Sequence, residues 1–472
     1  MAMNQLEIEA VMQRYSEPAV LVHRVYPLIN MPKTNSHLGG LPGLPEGLAW
    51  PTSSKGEPLH FLGQLDCSEL PRNNDMLPDS GVLFFFALIN EEMTWSDQAP
   101  HDFCRVIYAP ACSEVRRSSP SNLGPIMGGW SDYQRHLNLP GDPPITKYPH
   151  WPITLHAVNS WANVDAIPRE FSREDHVAYQ EAVNRARAAE VVRVLGLQTN
   201  TPRPAGWGRS DYDRQEIHLP PDTRDGPFPQ AWIMVDRIAR FMLNSIEPES
   251  LVKTFSTRPD PAKPVQSVLD KILGRARVAK PVTVPPPNLP LAESIVNRDD
   301  ALHDAMAWVE RASKHGLDQA PSNEAAAEFT TWLRVLIADR KIASKVSIAI
   351  SVGMNYAIQY AADSPTAAPL IPSRYYNWAE DLHIPVYADK IGYYVSCGPW
   401  QISGNYHQML GNTRSSQNAR SVDRKEVLLL QLLSDYGIGF MFCDVGEVEF
   451  WIDKQDLVDR RFDKVFATTC GG

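Results

Sequence analysis

Several large function classes leave no mark on this sequence of 472 residues. Positive charge is not in excess: the formal net charge is −10, which gives no dedicated basic face for nucleic acid or an anionic membrane. Six cysteines (Cys67, Cys104, Cys112, Cys397, Cys443 and Cys470) lie scattered without a C-x-x-C pair, too sparse for a disulfide scaffold and without zinc-site spacing. Long apolar runs are missing as well. The longest uncharged, apolar-rich run, 346–360, is interrupted by Ser347, Ser351, Asn355 and Gln359 and is too short to span a bilayer. The opening residues, MAMNQLEIEAVMQRY, carry acids where a signal peptide needs an apolar core, so a cytoplasmic protein is expected.

Catalytic and cofactor motifs are absent too. There is no G-x-G-x-x-G or G-x-x-x-x-G-K-[ST] phosphate loop, no H-E-x-x-H or H-x-H metal pair, and no G-x-S-x-G elbow. No cofactor and no metal are expected. The glycine-rich "SHLGGLPGLPEGLAWP" at 36–51 is a chain of turns rather than a phosphate cradle, because its prolines remove the N–H donors a cradle uses.

What is present is an ordinary 43% of apolar residues, in a chain longer than one core usually serves, so two or three packed units are expected. Short β-branched and aromatic runs predict strands at 20–25, 61–65, 82–89, 104–109 and 153–158, separated by Pro, Gly, Asn and Asp clusters. The continuous "VLFFFALI" after Gly81 suits a strand buried on both faces. The centre turns helical. Ser172 has the character of an N-cap and Gly196 of a stop, and further helices are expected at 230–245, 265–275, 300–314 and 323–341. The Pro-rich "KPVTVPPPNLP" serves as a linker. Strands return at 427–434, 437–443 and 447–452, then a short helix capped at Asp453 and an edge strand at 463–469.

Both β-rich ends carry landmarks in the same order. His37 with Gly39-Gly40, then Gln64, then Gly81 is matched by His407 with Gly411, then Gln431, then Gly446. The expected fold class is therefore α+β, with two β-rich lobes, a candidate duplication, and a long helical insertion. The divisions fall at 1–170, 171–345 and 346–472.

The C-terminal residues His407, Gly411, Leu430-Gln431, Ser434-Asp435, Asp444-Val445-Gly446, Phe450-Trp451, Asp456-Leu457 and Phe462/Val465 form a joint pattern. Gly39-Gly40, Pro45, Trp50-Pro51, Gln64, Leu70-Pro71, Pro78 and Gly81 supply its N-terminal part. Over about 18–160 and 390–470 the chain resembles the bacterial YwqG-like family, a domain of unknown function. The resemblance implies an α+β fold with β-rich lobes and no settled reaction, with toxin immunity or partner binding as one option. Phe442-Cys443 stand where that pattern has Trp-Gly.

Two functional readings follow. In the first, the chain is a non-enzymatic protein- or peptide-binding module. Its binding residues are drawn from His37, Gly39, Gly40, Trp50, Gln64, His407, Gly411, Gln431, Asp435, Asp444 and Gly446, with the helical centre setting partner choice; neither nucleic acid nor membrane is a partner. In the second, it is a small-molecule or metal-dependent enzyme, using His37, His407 and Asp444 in a cleft between the lobes. Gln64 and Gln431 each interrupt an apolar strand, and a buried amide must find partners. They either tie a neighbouring turn or meet a bound peptide backbone.

Overall fold

The computed structural model describes residues 3–25, 32–72, 75–90, 101–126, 144–169, 171–196, 227–246, 296–339, 342–371, 406–415, 420–435, 437–443 and 446–471. Helix α1 (Gln5–Arg14) leads into β1 (Ser16–Arg24), followed by β2 (His37–Leu38), β3 (His60–Asp66), β4 (Val82–Ala87), β5 (Cys104–Ala109) and β6 (Trp151–Trp161). Among the described residues five helices follow: α2 (Arg173–Leu195), α3 (Trp232–Ile246), α4 (Arg298–Ser313), α5 (Asn323–Ala338) and α6 (Ala343–Asp363). Strands β7 (His407–Met409), β8 (Glu426–Leu433) and β9 (Glu447–Asp453), helix α7 (Lys454–Val458) and strand β10 (Phe466–Cys470) complete the chain.

The expected two lobes are corrected here. The ten strands form one antiparallel sheet, in the order β10-β9-β8-β7-β1-β6-β2-β3-β4-β5. The seam is β1 against β6, paired from Ser16↔Trp161 to Arg24↔Ile153. The sheet curls until its edges meet: Cys104 Sγ stands 3.8 Å from the Val465 carbonyl, and the rings of His101 and Phe466 are 5.6 Å apart. Curling lets the edges approach one another, which limits open backbone for stray pairing. Phe85 and Phe450, from opposite halves, meet edge to face inside.

That inner face is not left hollow. Helices α3 to α6 contribute Ile238, Ala305, Phe329 and Met354 to the same core as Val20, Val22, Phe85 and Phe450. On the outer face α2 lays Ala188 and Val191 over Ala19, Leu21 and Val158. Local sequence explains these helices. Ser172 caps α2 by accepting from Asp175 N, and Gly196 ends it at φ +61°; Ser322 and Asp453 likewise cap α5 and α7.

Two local expectations need correction or restriction. The stretch 437–443 is a turn with a single bridge, Asp435↔Phe440, not a strand. Cys443, standing where the family pattern has glycine, adopts φ +50°, so the left-handed turn persists without glycine. The helix expected at 265–275 and the site candidate Asp444 lie outside the described residues.

The sheet has an internal correspondence. After β2 and β7, two residues in succession take positive φ: Gly39 and Gly40 at +59° and +68°, Leu410 and Gly411 at +61° and +70°. Beside Gly411 there is no room for a side chain, since a Cβ would sit 2.2 Å from Ser160 Oγ. Gly411→Ala is expected to cost about 2 kcal/mol or more, from left-handed strain and the clash together, read as a lower Tm.

Candidate functional site

The registers define two transverse rows of side chains, one in each half of the sheet. In the first, His37 faces Gln64, Gln64 faces Phe84 and Phe84 faces Ile107. In the second, Gln408 faces Gln431, Gln431 faces Glu449 and Glu449 faces Thr468. The left-handed pairs Gly39-Gly40 and Leu410-Gly411 begin two residues after His37 and Gln408 respectively. The structural counterpart of His37 is thus Gln408, not His407. Gln64 and Gln431 do correspond, as do Gly81 and Gly446, whose carbonyls accept from Cys67 N and Ser434 N three residues beyond each glutamine.

The two counterparts make the same bond. His37 Nε2 accepts from Arg116 Nη1 at 3.0 Å, so the ring proton is on Nδ1, which donates to the Gly39 carbonyl at 2.9 Å. Gln408 Nε2 donates to the Leu410 carbonyl at 2.7 Å, again two residues ahead, and to Asn412 O at 2.9 Å. His37 is held neutral, its pKa well below the usual histidine range, first by burial and then by His150 and Arg116. The His150 ring lies 4.3 Å from it.

In the first row the amide is fully used. Gln64 Oε1 accepts from Gly43 N (2.8 Å) and Arg116 Nη1 (3.3 Å), while Nε2 donates to Asn35 O (2.8 Å) and Cys112 Sγ (3.3 Å). It pins the turn chain 36–51 to β3. Trp50 closes that loop, its Nε1 donating to Leu59 O at 2.9 Å and its ring against Phe86. Gln64→Leu should cost about 2 kcal/mol or more, because it strands a buried N–H and C=O; urea unfolding measures it.

The second row carries carboxyls where the first has phenylalanine and valine. Glu447 and Glu449 occupy the places of Val82 and Phe84, two residues apart on one strand and so on one face. Gln431 Nε2 bridges them, 3.0 Å from Glu447 Oε2 and 3.0 Å from Glu449 Oε1. Thr413 Oγ1 also bonds Glu449 Oε1, and Trp451 Nε1 donates to Oε2 at 3.1 Å. Burial and the neighbouring Glu447 push the Glu449 carboxyl up to about 8. This pair was missed in the sequence, where "EVEFWI" was read only as a strand. The period-two placement of Glu447, Glu449 and Trp451 was the signal available.

On the opposite face lies a second polar group. Arg24 and Asp435, both 0% exposed, form a two-point ion pair, Nε to Oδ2 at 2.7 Å and Nη2 to Oδ1 at 3.0 Å. Arg24 also stacks 4.2 Å over Trp151. His407 Nδ1 accepts from Leu433 N at 3.1 Å, so the neutral ring carries its proton on Nε2, 3.5 Å from Asp435 Oδ2. Burial would raise the Asp435 pKa, but Arg24 and His407 together more than reverse it and hold the carboxylate low. His407 is itself lowered, chiefly by burial.

His407 and Asp435 are therefore brought together, and Gln431 is brought to Glu447 and Glu449. His37 and His407 are kept apart. His37 matches Gln408 and shares the outer face with Phe61 and Phe84, whereas His407 points to the inner face with Arg24, so no cleft holds both. Gly446 serves close approach: a Cβ there would lie 1.6 Å from the Cys470 carbonyl. Among the described residues no three His, Cys, Asp or Glu side chains converge as a metal set, and no helix is long and apolar enough to cross a membrane.

The family profile described as "Domain of unknown function (DUF1963)" matches residues 36–201 and 323–470. It spans both rows, breaks off after α2 and resumes at α5, leaving out α3 and α4. No curated protein matches the sequence.

Proposed function

The chain belongs to the DUF1963 family, and from that premise we propose that it is a non-catalytic protein- or peptide-binding protein whose helical segment sets partner choice. The observation that carries this reading is the use made of the shared polar residues. His37, Gln64, His407, Gln431 and Asp435 are all buried and bonded within the fold, where they hold turns and strands in register. The bonded atoms of these side chains cannot also serve a substrate without breaking those bonds. The finer likeness to the YwqG-like proteins belongs to this reading, with toxin immunity as its most specific form, as does a duplicated β unit as the origin of the two rows.

Co-expression with the product of an adjacent toxin gene tests it. Restored growth, together with a stable complex of the two purified proteins on size exclusion, supports the proposal. Metabolite turnover by the purified chain, with no protein partner, sinks it.

One observation favours a second reading, a small-molecule enzyme. Glu449 keeps its proton at neutral pH, as general acids do. In that reading the acid is Glu449 rather than His37, His407 or Asp444, and Glu449→Gln abolishes turnover while the fold persists.

A further inference from the structure

In the first row a buried histidine holds a surface arginine, and both of its ring nitrogens are engaged. His37, 1% exposed, donates from Nδ1 to the Gly39 carbonyl and accepts at Nε2 from Arg116 Nη1 at 3.0 Å. A further proton can enter this ring only at Nε2, where it turns the acceptor into a donor facing a guanidinium. The bond to Arg116 is then lost and like charges stand in its place.

Arg116 belongs to a strap, 111–117, that leaves β5 and runs along the turn chain 36–51. Ser113 N donates to Gly43 O at 2.7 Å, Arg117 N to Pro42 O at 2.8 Å and Arg117 Nη1 to Glu46 O at 3.4 Å. Arg116 Nη1 also reaches Gln64 Oε1 at 3.3 Å, the oxygen that takes the Gly43 N–H. Val115 and Arg116 are themselves exposed. The strap is therefore held chiefly by hydrogen bonds, with His37 at their buried end, and such segments open at low cost.

The charges that act on His37 are His150, its ring 4.3 Å away, and Arg116, and both oppose a positive ring. From β3 and β6 it meets Phe61, Gln64 and Pro152, which carry no charge, and burial keeps the nearby Tyr148 phenol protonated. Behind His150, Asp363 accepts from His150 N at 2.7 Å and lies 4.0 Å from Lys147 Nζ. Asp66 and Glu69 are bonded to Asn35 and Ser36, and Glu46 and Glu114 are exposed. Farther along, His60 Nε2 donates to Gly124 O at 2.9 Å, a bond that protonation leaves intact, so the chain beyond the strap stays anchored. The second half has the same turn without a titrating group, since Gln408 stands where the first half has His37.

We propose that His37 and Arg116 form an acid-released latch: a proton taken up by His37 expels Arg116 and frees the strap 111–117 from the turn chain 36–51, while the sheet stays folded. Opening bares Gln64 and the side of the Leu44, Phe84 and Phe86 cluster against which Cys112 packs. The latch stands or falls apart from the binding-protein reading, because it requires no partner.

Hydrogen exchange of the full chain, read by mass spectrometry from pH 7.5 to 5 and referred at each pH to the unstructured rate, tests this. Below pH 6.5 the open form takes up a proton that the closed form refuses. Protection in peptides holding Gly43, Ser113 and Arg117 should therefore fall by about tenfold per pH unit, while the β1–β6 ladder stays better protected. His37→Gln, which copies the Gln408 arrangement and does not titrate, should match the wild type at pH 7.5 and lose most of that slope. Should this variant fail to fold, Arg116→Met, a change at an exposed side chain, decides instead: it should raise exchange in those peptides about tenfold already at pH 7.5. The proposal is overturned if the peptides keep their protection down to pH 5, or if the ladder exchanges as fast as they do, the mark of global unfolding. It is equally overturned if a folded His37→Gln variant keeps the wild-type slope, or if Arg116→Met exchanges as the wild type does.

Discussion

Replacing Asp435 by alanine is expected to remove about 3–5 kcal/mol of stability, the largest single-residue effect in this fold. The carboxylate sits at 0% exposure between Arg24, His407 and the N–H of Gly437, which donates to it at 2.9 Å. Its loss leaves the Arg24 guanidinium inside the core with its two-point partner gone, and an unpaired buried charge is the costly state. The side chain's bond from Gly437 N is lost as well, whereas the paired backbone bonds between Asp435 and Phe440, a residue of the inner core, survive the substitution. Arg24 and Asp435 come from the first strand and from near the end of the chain, so the pair clamps β1 to the turn after β8. Chemical unfolding of wild type, Arg24→Met, Asp435→Ala and the double variant measures it. Because the charges suffer most when separated, the double variant should be more stable than Asp435→Ala alone. A double variant as weak as the sum of the singles would refute the assignment.

Above neutrality the stability should fall with rising pH, and Glu449 is the cause. Its folded pKa is raised from 4.5 to about 8, by burial first and Glu447 second. Between those values the unfolded chain has released this proton and the native chain retains it. Stability therefore declines as pH rises through the window, by about 1.4 kcal/mol per pH unit where the difference is a full proton, and levels off above it. Histidines act in the opposite sense on the acid side. Burial lowers His23 from 6.5 to about 3, with His156 and Arg24 adding to it, and His37 and His407 shift the same way. Below pH 6.5 the unfolded chain takes up protons that the native chain refuses, so stability is lost as pH falls. Between 6.5 and 8 Glu449 acts without that opposition. Glu449→Gln, which keeps the group neutral, should flatten the profile there while leaving the acid limb in place. Urea midpoints recorded from pH 4 to 9 check this; parallel profiles for the two proteins would show that Glu449 does not titrate in that range.

Much of the local structure was legible. Strand runs at 61–65, 82–89, 104–109 and 447–452 lie on β3, β4, β5 and β9, because β-branched and aromatic runs between turn residues have few alternatives. The caps at Ser172, Gly196 and Asp453 were readable because capping acts over three or four residues. "GIGFMFC" misled because its apolar residues cover the core from a turn, and burial alone does not distinguish a strand from a covering loop. The match of His37 with His407 failed by one position. In a strand a one-residue offset moves a side chain to the other face, so spacing counted across loops could not detect it.

By itself the sequence determined the repeated order of features, the buried glutamines, and the types and approximate limits of most described elements, since these rest on propensity, alternation and local hydrogen bonding. Tertiary structure alone decided that the two ends form one sheet through the β1–β6 seam, that Gln408 is the counterpart of His37, and that Arg24 meets Asp435. It also decided that Glu447 and Glu449 share a buried face with Gln431. Each of these depends on register between strands distant in the chain, where one residue of slip exchanges the faces and local sequence carries no record of the partner.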